Sequence, residues 1–144
     1  MKDIIRSIKN FFDPPKTKTV LVIDDSDVDR TFAERVLAKR YRVLSASGPR
    51  EGIEVACRER PDLILLDYMM PEMNGSEVCR ILKEVHGMEA TPVVFLTGLD
   101  TPQTVVESLE QGAEAYLTKP IGGRDLIEEV RLRMQPVICT GKDS

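Results

Sequence analysis

The sequence predicts a doubly wound α/β domain built on a parallel sheet. Short apolar runs alternate with helix-period segments along most of the chain. The third and fourth runs are apolar on consecutive residues, as expected of strands covered by helices on both faces. Five strands alternating with five helices read as strand–helix–strand units of one sheet. At 144 residues the chain suits a single domain with a sizeable core.

Taken in order, the first strand is Val20–Ile23, an apolar run that stops at two adjacent carboxylates, Asp24 and Asp25. The first helix, Val28–Lys39, sets Val28, Phe32, Val36 and Leu37 on one face and leaves Arg30, Glu34 and Lys39 for water. Strand Arg42–Ala46 follows, and Ser47 before a Gly-Pro entry marks the start of helix Arg50–Arg60. The run "DLILLD" gives strand Leu63–Leu66, with Asn74 and Gly75 turning the chain into helix Ser76–Val85. Gly75 permits a positive φ in that turn. "VVFLTG" gives strand Val93–Leu96, and Thr101-Pro102 places a cap before a first-turn proline for helix Gln103–Gln111. "AYLT" gives the last strand, Ala115–Leu117, and helix Arg124–Met134 closes the domain, which spans residues 19–134.

Both ends lie outside this pattern. In residues 1–13, Ile4, Ile5, Ile8, Phe11 and Phe12 follow helical spacing, with Lys2, Arg6 and Lys9 on other faces. So short a basic amphipathic helix needs a surface to order it. An anionic membrane, a partner, a second copy of the chain and its own domain all qualify. Residues 14–18 form a linker after the "DPP" break, and residues 135–144 form a tail.

Composition narrows the class. Apolar content is 42%, charged content 31%, and there is no Trp, which describes a soluble globular protein. No apolar run approaches the roughly 18 residues of a membrane span, and the N-terminus shows no secretory cleavage pattern. Cys57, Cys79 and Cys139 fit neither a zinc spacing nor a disulfide framework, so a reducing cytoplasm is expected. His86, the single histidine, sits in a polar stretch and reads as a solvated loop residue. The net charge is −4; residues 1–19 carry five basic and two acidic side chains, +3, which leaves −7 for the rest. An acidic body without a basic stripe argues against direct nucleic-acid binding.

In open α/β sheets, function gathers at the carboxyl ends of the strands. There this chain places Asp24 and Asp25, then Asp67, then Thr97 with Gly98, and finally Lys119 with Pro120. Any one of these is commonly a cap or a turn residue; their concurrence at four strand ends is the signal. Three clustered carboxylates repel one another, and a proton or a cation must relieve them. Oxygen ligands with room for water suit Mg²⁺. With an ammonium, a hydroxyl and a free backbone N–H added, the set describes a phosphoryl-binding site. Aspartate nucleophiles form acyl phosphates, and Asp67, alone at a central strand end, is the candidate acceptor.

With these residues in place, the chain resembles the receiver domains of two-component response regulators, chemotaxis receivers among them. The matching motifs are "VLVIDDS", "DLILLDYMMPEMNG", "VVFLTG" and "AYLTKPIGGRDL". The resemblance implies a flavodoxin-like five-stranded parallel sheet in order 2-1-3-4-5 flanked by five helices. It implies that Asp67 is phosphorylated, that Asp25 binds Mg²⁺ directly and that Asp24 acts mainly through ordered water. It adds the Met69 carbonyl as a further metal ligand, and the Thr97 hydroxyl and Gly98 N–H as donors to the phosphoryl group. It pairs Lys119 with the phosphoryl oxygens, makes Lys119–Pro120 a cis peptide, and casts Thr97 and Tyr116 as a switch. In that switch Thr97 moves toward phosphate and the Tyr116 ring turns inward, reshaping the face of helix four, strand five and helix five.

The implied donor is a histidine kinase or a histidine phosphotransfer protein, recognised by the first helix around Val28, Asp29 and Phe32. A downstream effector or a second copy would read the helix-four face. Such a domain catalyses its own phosphorylation and dephosphorylation and is no enzyme toward another substrate. Met69 and Leu99 depart from frequent family choices and flank the path of water to an acyl phosphate, so they are expected to slow its hydrolysis. The rival readings are a haloacid-dehalogenase-type phosphatase, through "DSD" at Asp25–Asp27, and a degenerate receiver acting only as a binding module. The ten-residue tail after Met134 fits a stand-alone receiver and a piece of a longer regulator alike.

Overall fold

Strand side chains alternate between two helical layers here, so one apolar run feeds two cores. The computed structural model describes residues 18–134; the expected amphipathic segment 1–13, the linker up to residue 17 and the tail 135–144 with Cys139 lie outside them. Strands β1 (Thr19–Ile23), β2 (Arg42–Ala46), β3 (Leu63–Leu66), β4 (Val93–Thr97) and β5 (Ala115–Thr118) alternate with helices α1 (Asp27–Leu37), α2 (Pro49–Glu59), α3 (Gly75–Glu84), α4 (Pro102–Glu110) and α5 (Gly123–Met134). The sheet is parallel throughout in the order β2-β1-β3-β4-β5. Leu21, Ile23, Ile64, Leu66 and Phe95 pack on one face with Val55, Ala56, Val78, Cys79 and Leu82 of α2 and α3. Val20, Val22, Leu63, Leu65, Val94 and Leu96 pack on the other with Ala33, Val36, Leu37, Leu126 and Val130 of α1 and α5.

Two local expectations change, and a third position does a different job. Helix α1 turns Ala33, Val36 and Leu37 inward, whereas Val28 is 78% exposed and Phe32 40%. The buried stripe therefore centres on the small Ala33, and the first-turn apolar residues overhang the sheet's carboxyl edge. The N-cap of α2 is Gly48 rather than Ser47, whose N–H and hydroxyl both donate to the Glu51 carboxylate, at 2.8 and 3.2 Å. Gly75 is not among the positive-φ residues, which within the described chain are Arg60, Gly87 and Gly112. What it provides is close approach. A Cβ there would stand 2.5 Å from Phe95 Cε1 and 2.7 Å from the Asp67 carbonyl oxygen. The Gly75 N–H donates to the Tyr68 carbonyl at 2.6 Å, and Asn74 caps α3 by accepting the Glu77 N–H at 3.0 Å. A bare glycine thus lets α3 start directly against the loop that carries Asp67.

Candidate functional site at the carboxyl edge

The chain reverses its winding direction between β1 and β3, which opens a crevice at their carboxyl ends. Ile23 and Leu66 are the last paired residues of these strands, so Asp24 and Asp67 leave the sheet side by side. On the next strand Thr97 ends β4, and Lys119 follows β5 with its N–H on the Thr97 carbonyl at 2.8 Å. The Lys119–Pro120 bond is cis. One ligand oxygen from each of Asp24, Asp25 and Asp67 lies within 4.8 Å of the others, the one cluster of this kind among the described residues.

The three carboxylates are not equivalent. Asp24 is buried and both its oxygens are engaged: Oδ1 accepts the Ser26 N–H at 2.9 Å and Oδ2 meets Lys119 Nζ at 2.9 Å. Asp25 is exposed. Asp67 is buried, with the Thr97 hydroxyl beside it. Burial pushes the Asp67 carboxyl above the ordinary carboxylate range, the Thr97 hydroxyl and Lys119 work against this, and the charges of Asp24 and Asp25 add to it. Lys119 is subject to the opposite balance. Burial works to lower its ammonium pKa, and the Asp29, Asp24 and Asp67 carboxylates outweigh it and hold it above the usual lysine value.

A divalent cation fits this donor set. The oxygens are hard, Asp25 is open to an ion, and the mutual repulsion that loads Asp67 is the repulsion a cation relieves. Asp24 is less open to direct ligation because Lys119 and Ser26 already occupy its oxygens. Gly98 stands in open space, with nothing within 4 Å of where a Cβ would project. Met69 is 61% exposed at the rim, while Leu99 is half-buried against the core. Tyr116 lies against Phe95, with its hydroxyl donating to the Leu99 carbonyl. The ring is thus packed against the core.

Two contacts had no counterpart in the sequence reading. Asp29 Oδ2 lies 2.7 Å from Lys119 Nζ, although 90 residues separate them. Glu107 of α4 accepts from the Tyr68 hydroxyl at 3.1 Å and the Ser76 hydroxyl at 3.2 Å, which ties the residue after Asp67 to α4. Nothing local signals either contact. His86 is exposed, as expected, and its carbonyl accepts from Arg60 at 2.5 Å. Burial pushes the Cys79 thiol up to about 11, which makes it inert.

Beside the crevice, Val28, Asp29, Phe32, Leu96, Lys119, Pro120 and Ile121 line an open groove of about 480 Å³.

Comparison with known proteins agrees with this geometry. Residues 20–131 match the family model described as the response regulator receiver domain. The chain is 37% identical over 114 residues to the transcriptional regulatory protein AfsQ1 of Streptomyces coelicolor, covering 78% of this chain and 49% of that protein. It is 40% identical over 113 residues to the response regulator PleD of Caulobacter vibrioides, covering 78% of this chain and 25% of that one. The chain therefore spans half or less of the length of these relatives. Among solved structures, the signal receiver domain of a histidine kinase from Syntrophus aciditrophicus superposes with a TM-score of 0.76 at 33% identity, covering 88% of this chain and 96% of that one. The chemotaxis protein CheY4 of Vibrio cholerae superposes with a TM-score of 0.77 at 29% identity, covering 80% and 97%.

Proposed function

The chain belongs to the response regulator receiver domain family, and from that premise we propose that Asp67 is its phosphoacceptor. The receiver is a signalling switch of two-component systems. The observation that carries the assignment is the setting of Asp67: buried at the end of the central strand, beside the Thr97 hydroxyl, with Lys119 Nζ 3.9 Å away.

A carboxylate oxygen of Asp67 attacks the phosphorus of a donor phosphohistidine. A P–O bond forms as the P–N bond breaks, the electron pair stays on the imidazole nitrogen, and an acyl phosphate results. The Thr97 hydroxyl and Gly98 N–H donate to the phosphoryl oxygens, and Lys119 supplies a positive charge beside them. Later, water attacks the same phosphorus and returns the free carboxylate with inorganic phosphate. Receiver domains bind Mg²⁺; here Asp25, Asp67 and the Met69 carbonyl would hold it, with Asp24 acting through water. Bound there, the ion would neutralise charge on the phosphoryl oxygens.

The donor is a histidine kinase or a histidine phosphotransfer protein, and exposed Val28 and Phe32 offer it a grip beside the groove. Thr97 and Tyr116 form the switch, and Val106 and Leu109, exposed on α4, offer an apolar face to an effector or a second copy. Work against a kinase suits the cytoplasm, and the free thiols Cys57 and Cys79 suit a reducing compartment. No helix of the described residues is long and apolar enough to cross a membrane. The phosphatase alternative is not favoured, because it needs a second acidic cluster and the described residues hold one.

Incubation with Mg²⁺ and acetyl phosphate, read by intact mass, tests the assignment. One added phosphoryl group, absent in Asp67→Ala, is the expected result; labelling that survives the substitution refutes it.

A further inference from the structure

An ammonium has three N–H donors. Lys119 spends its shortest contacts on Asp29, at 2.7 Å, and Asp24, at 2.9 Å, while Asp67 at 3.9 Å is beyond hydrogen-bond reach. The two partners differ in what their release would cost. The Asp24 side chain is 7% exposed, so losing Lys119 would strand a buried charge. The Asp29 side chain is 43% exposed and can return to water. Ser26 caps α1 and accepts the Asp29 N–H at 3.3 Å, which fixes Asp29 in the first turn, within reach of Lys119.

We propose that Asp29 is a latch on Lys119: it holds the ammonium on the α1 side of the crevice, and this ion pair is exchanged for the phosphoryl oxygens when Asp67 is modified. Asp29 is a positioning residue, acting on the reaction through Lys119. Its first consequence is kinetic, because the charge that should meet the incoming phosphoryl group must first leave another carboxylate. The second concerns the groove. In the unmodified protein the Asp29 charge is compensated by Lys119; after exchange a free carboxylate stands on the rim next to Val28 and Phe32. The face that receives the donor then differs in charge before and after transfer. This inference rests on Asp67 being the phosphoacceptor.

The test uses the full chain with Mg²⁺ and acetyl phosphate, followed by intact mass over time. In this reaction Asp67 forms a P–O bond as the donor's P–O bond breaks, and acetate leaves with the electron pair. Asp29→Asn should raise the second-order rate constant about threefold or more, the scale set by one partly exposed ion pair. Asp29→Ala, which keeps a good helix former, should do the same. Asp29→Glu should stay near the wild-type rate. Asp27→Asn is the charge control. Asp27 is 86% exposed, lies on the same helix and pairs with Arg30 at 2.5 Å, so its loss should change the rate by less than about twofold. Beryllofluoride, a phosphoryl mimic, should bind Asp29→Asn more tightly by a factor similar to the rate gain. Rates in both Asp29 variants equal to or below wild type overturn the latch, as does an equal gain in Asp27→Asn. A wild-type chain that takes no label overturns the phosphoacceptor assignment and the latch together, which is a different result from a labelled wild type and an unaccelerated variant.

Discussion

Tyr116 lies on Phe95 with ring centroids 5.5 Å apart and planes 27° from parallel, and its hydroxyl donates to the Leu99 carbonyl. One side chain thereby ties β5 to the loop after Thr97 that carries Gly98 and Leu99. Tyr116→Phe keeps the stack and removes the tie. The expected cost is about 1 kcal/mol of stability, the net worth of one hydrogen bond. Amide exchange over Leu99–Asp100 should quicken while the β4 amides stay protected. Unchanged exchange in that loop would show that the hydroxyl does not hold it.

Asp24 and Asp25 should separate under substitution. Asp24→Asn disturbs a buried group whose oxygens hold Ser26 and Lys119, so it should destabilise the fold by about 1–3 kcal/mol. Asp25→Asn alters an exposed side chain and should change stability by less than about 0.5 kcal/mol. It should still weaken Mg²⁺ binding by about tenfold or more. Denaturant melts and calorimetric Mg²⁺ titration of both variants check the pair. Equal stability losses would mean that the burial difference has no energetic weight.

The raised carboxyl of Asp67 makes stability depend on pH in a stated direction. The folded chain keeps this proton to a higher pH than the unfolded chain, whose carboxyl titrates near the ordinary 3.8. The stability Asp67 contributes is therefore fully present below that value and is lost as pH rises through the raised native pKa. Asp67→Asn cannot lose it. Without Mg²⁺ the variant should melt roughly a few degrees above wild type at pH 7, with the gap closing as pH falls toward 3.8. Added Mg²⁺ should narrow the gap by stabilising the wild type. A variant that melts below wild type at pH 7 contradicts the sign.

Met69 and Leu99 bear on the lifetime of the acyl phosphate. Leu99 packs against the core with its carbonyl held by Tyr116, whereas Met69 is open to solvent at the rim. Met69→Asn and Leu99→Ala should each shorten the lifetime by roughly severalfold, by admitting water and a polar partner for it. Decay of the labelled mass after removal of donor measures this. Lifetimes equal to wild type in both variants would leave these side chains as mere cover for the loop.

The alternation of apolar runs and helix-period segments was enough to write down the five strands and the five helices within one or two residues at each end. The strand-end residues were legible for a related reason. A carboxylate cannot continue a strand buried on both faces, so Asp24 and Asp67 mark where β1 and β3 stop. Local pattern alone does not say which face of a helix the fold covers. In α1 the small Ala33 seats the helix on the sheet and turns Val28 and Phe32 outward, although the helical period sets them on one face with Val36 and Leu37. Nor does it reveal that Gly75 is needed for space rather than for φ, because the ring and the carbonyl that exclude a Cβ come from β4 and the end of β3.

Likewise, "DD" presents two identical carboxylates, and only Lys119, arriving from the far end of the chain, makes one of them a buried ion-pair partner and leaves the other open. By itself, then, the sequence determined the sheet, its five flanking helices and the list of groups at the carboxyl edge, since periodicity and charge are local properties of the chain. Tertiary structure decided the pairings, above all Asp29 with Lys119, because a contact across 90 residues is set by how the fold brings the start of α1 to the end of β5 and by no spacing within either.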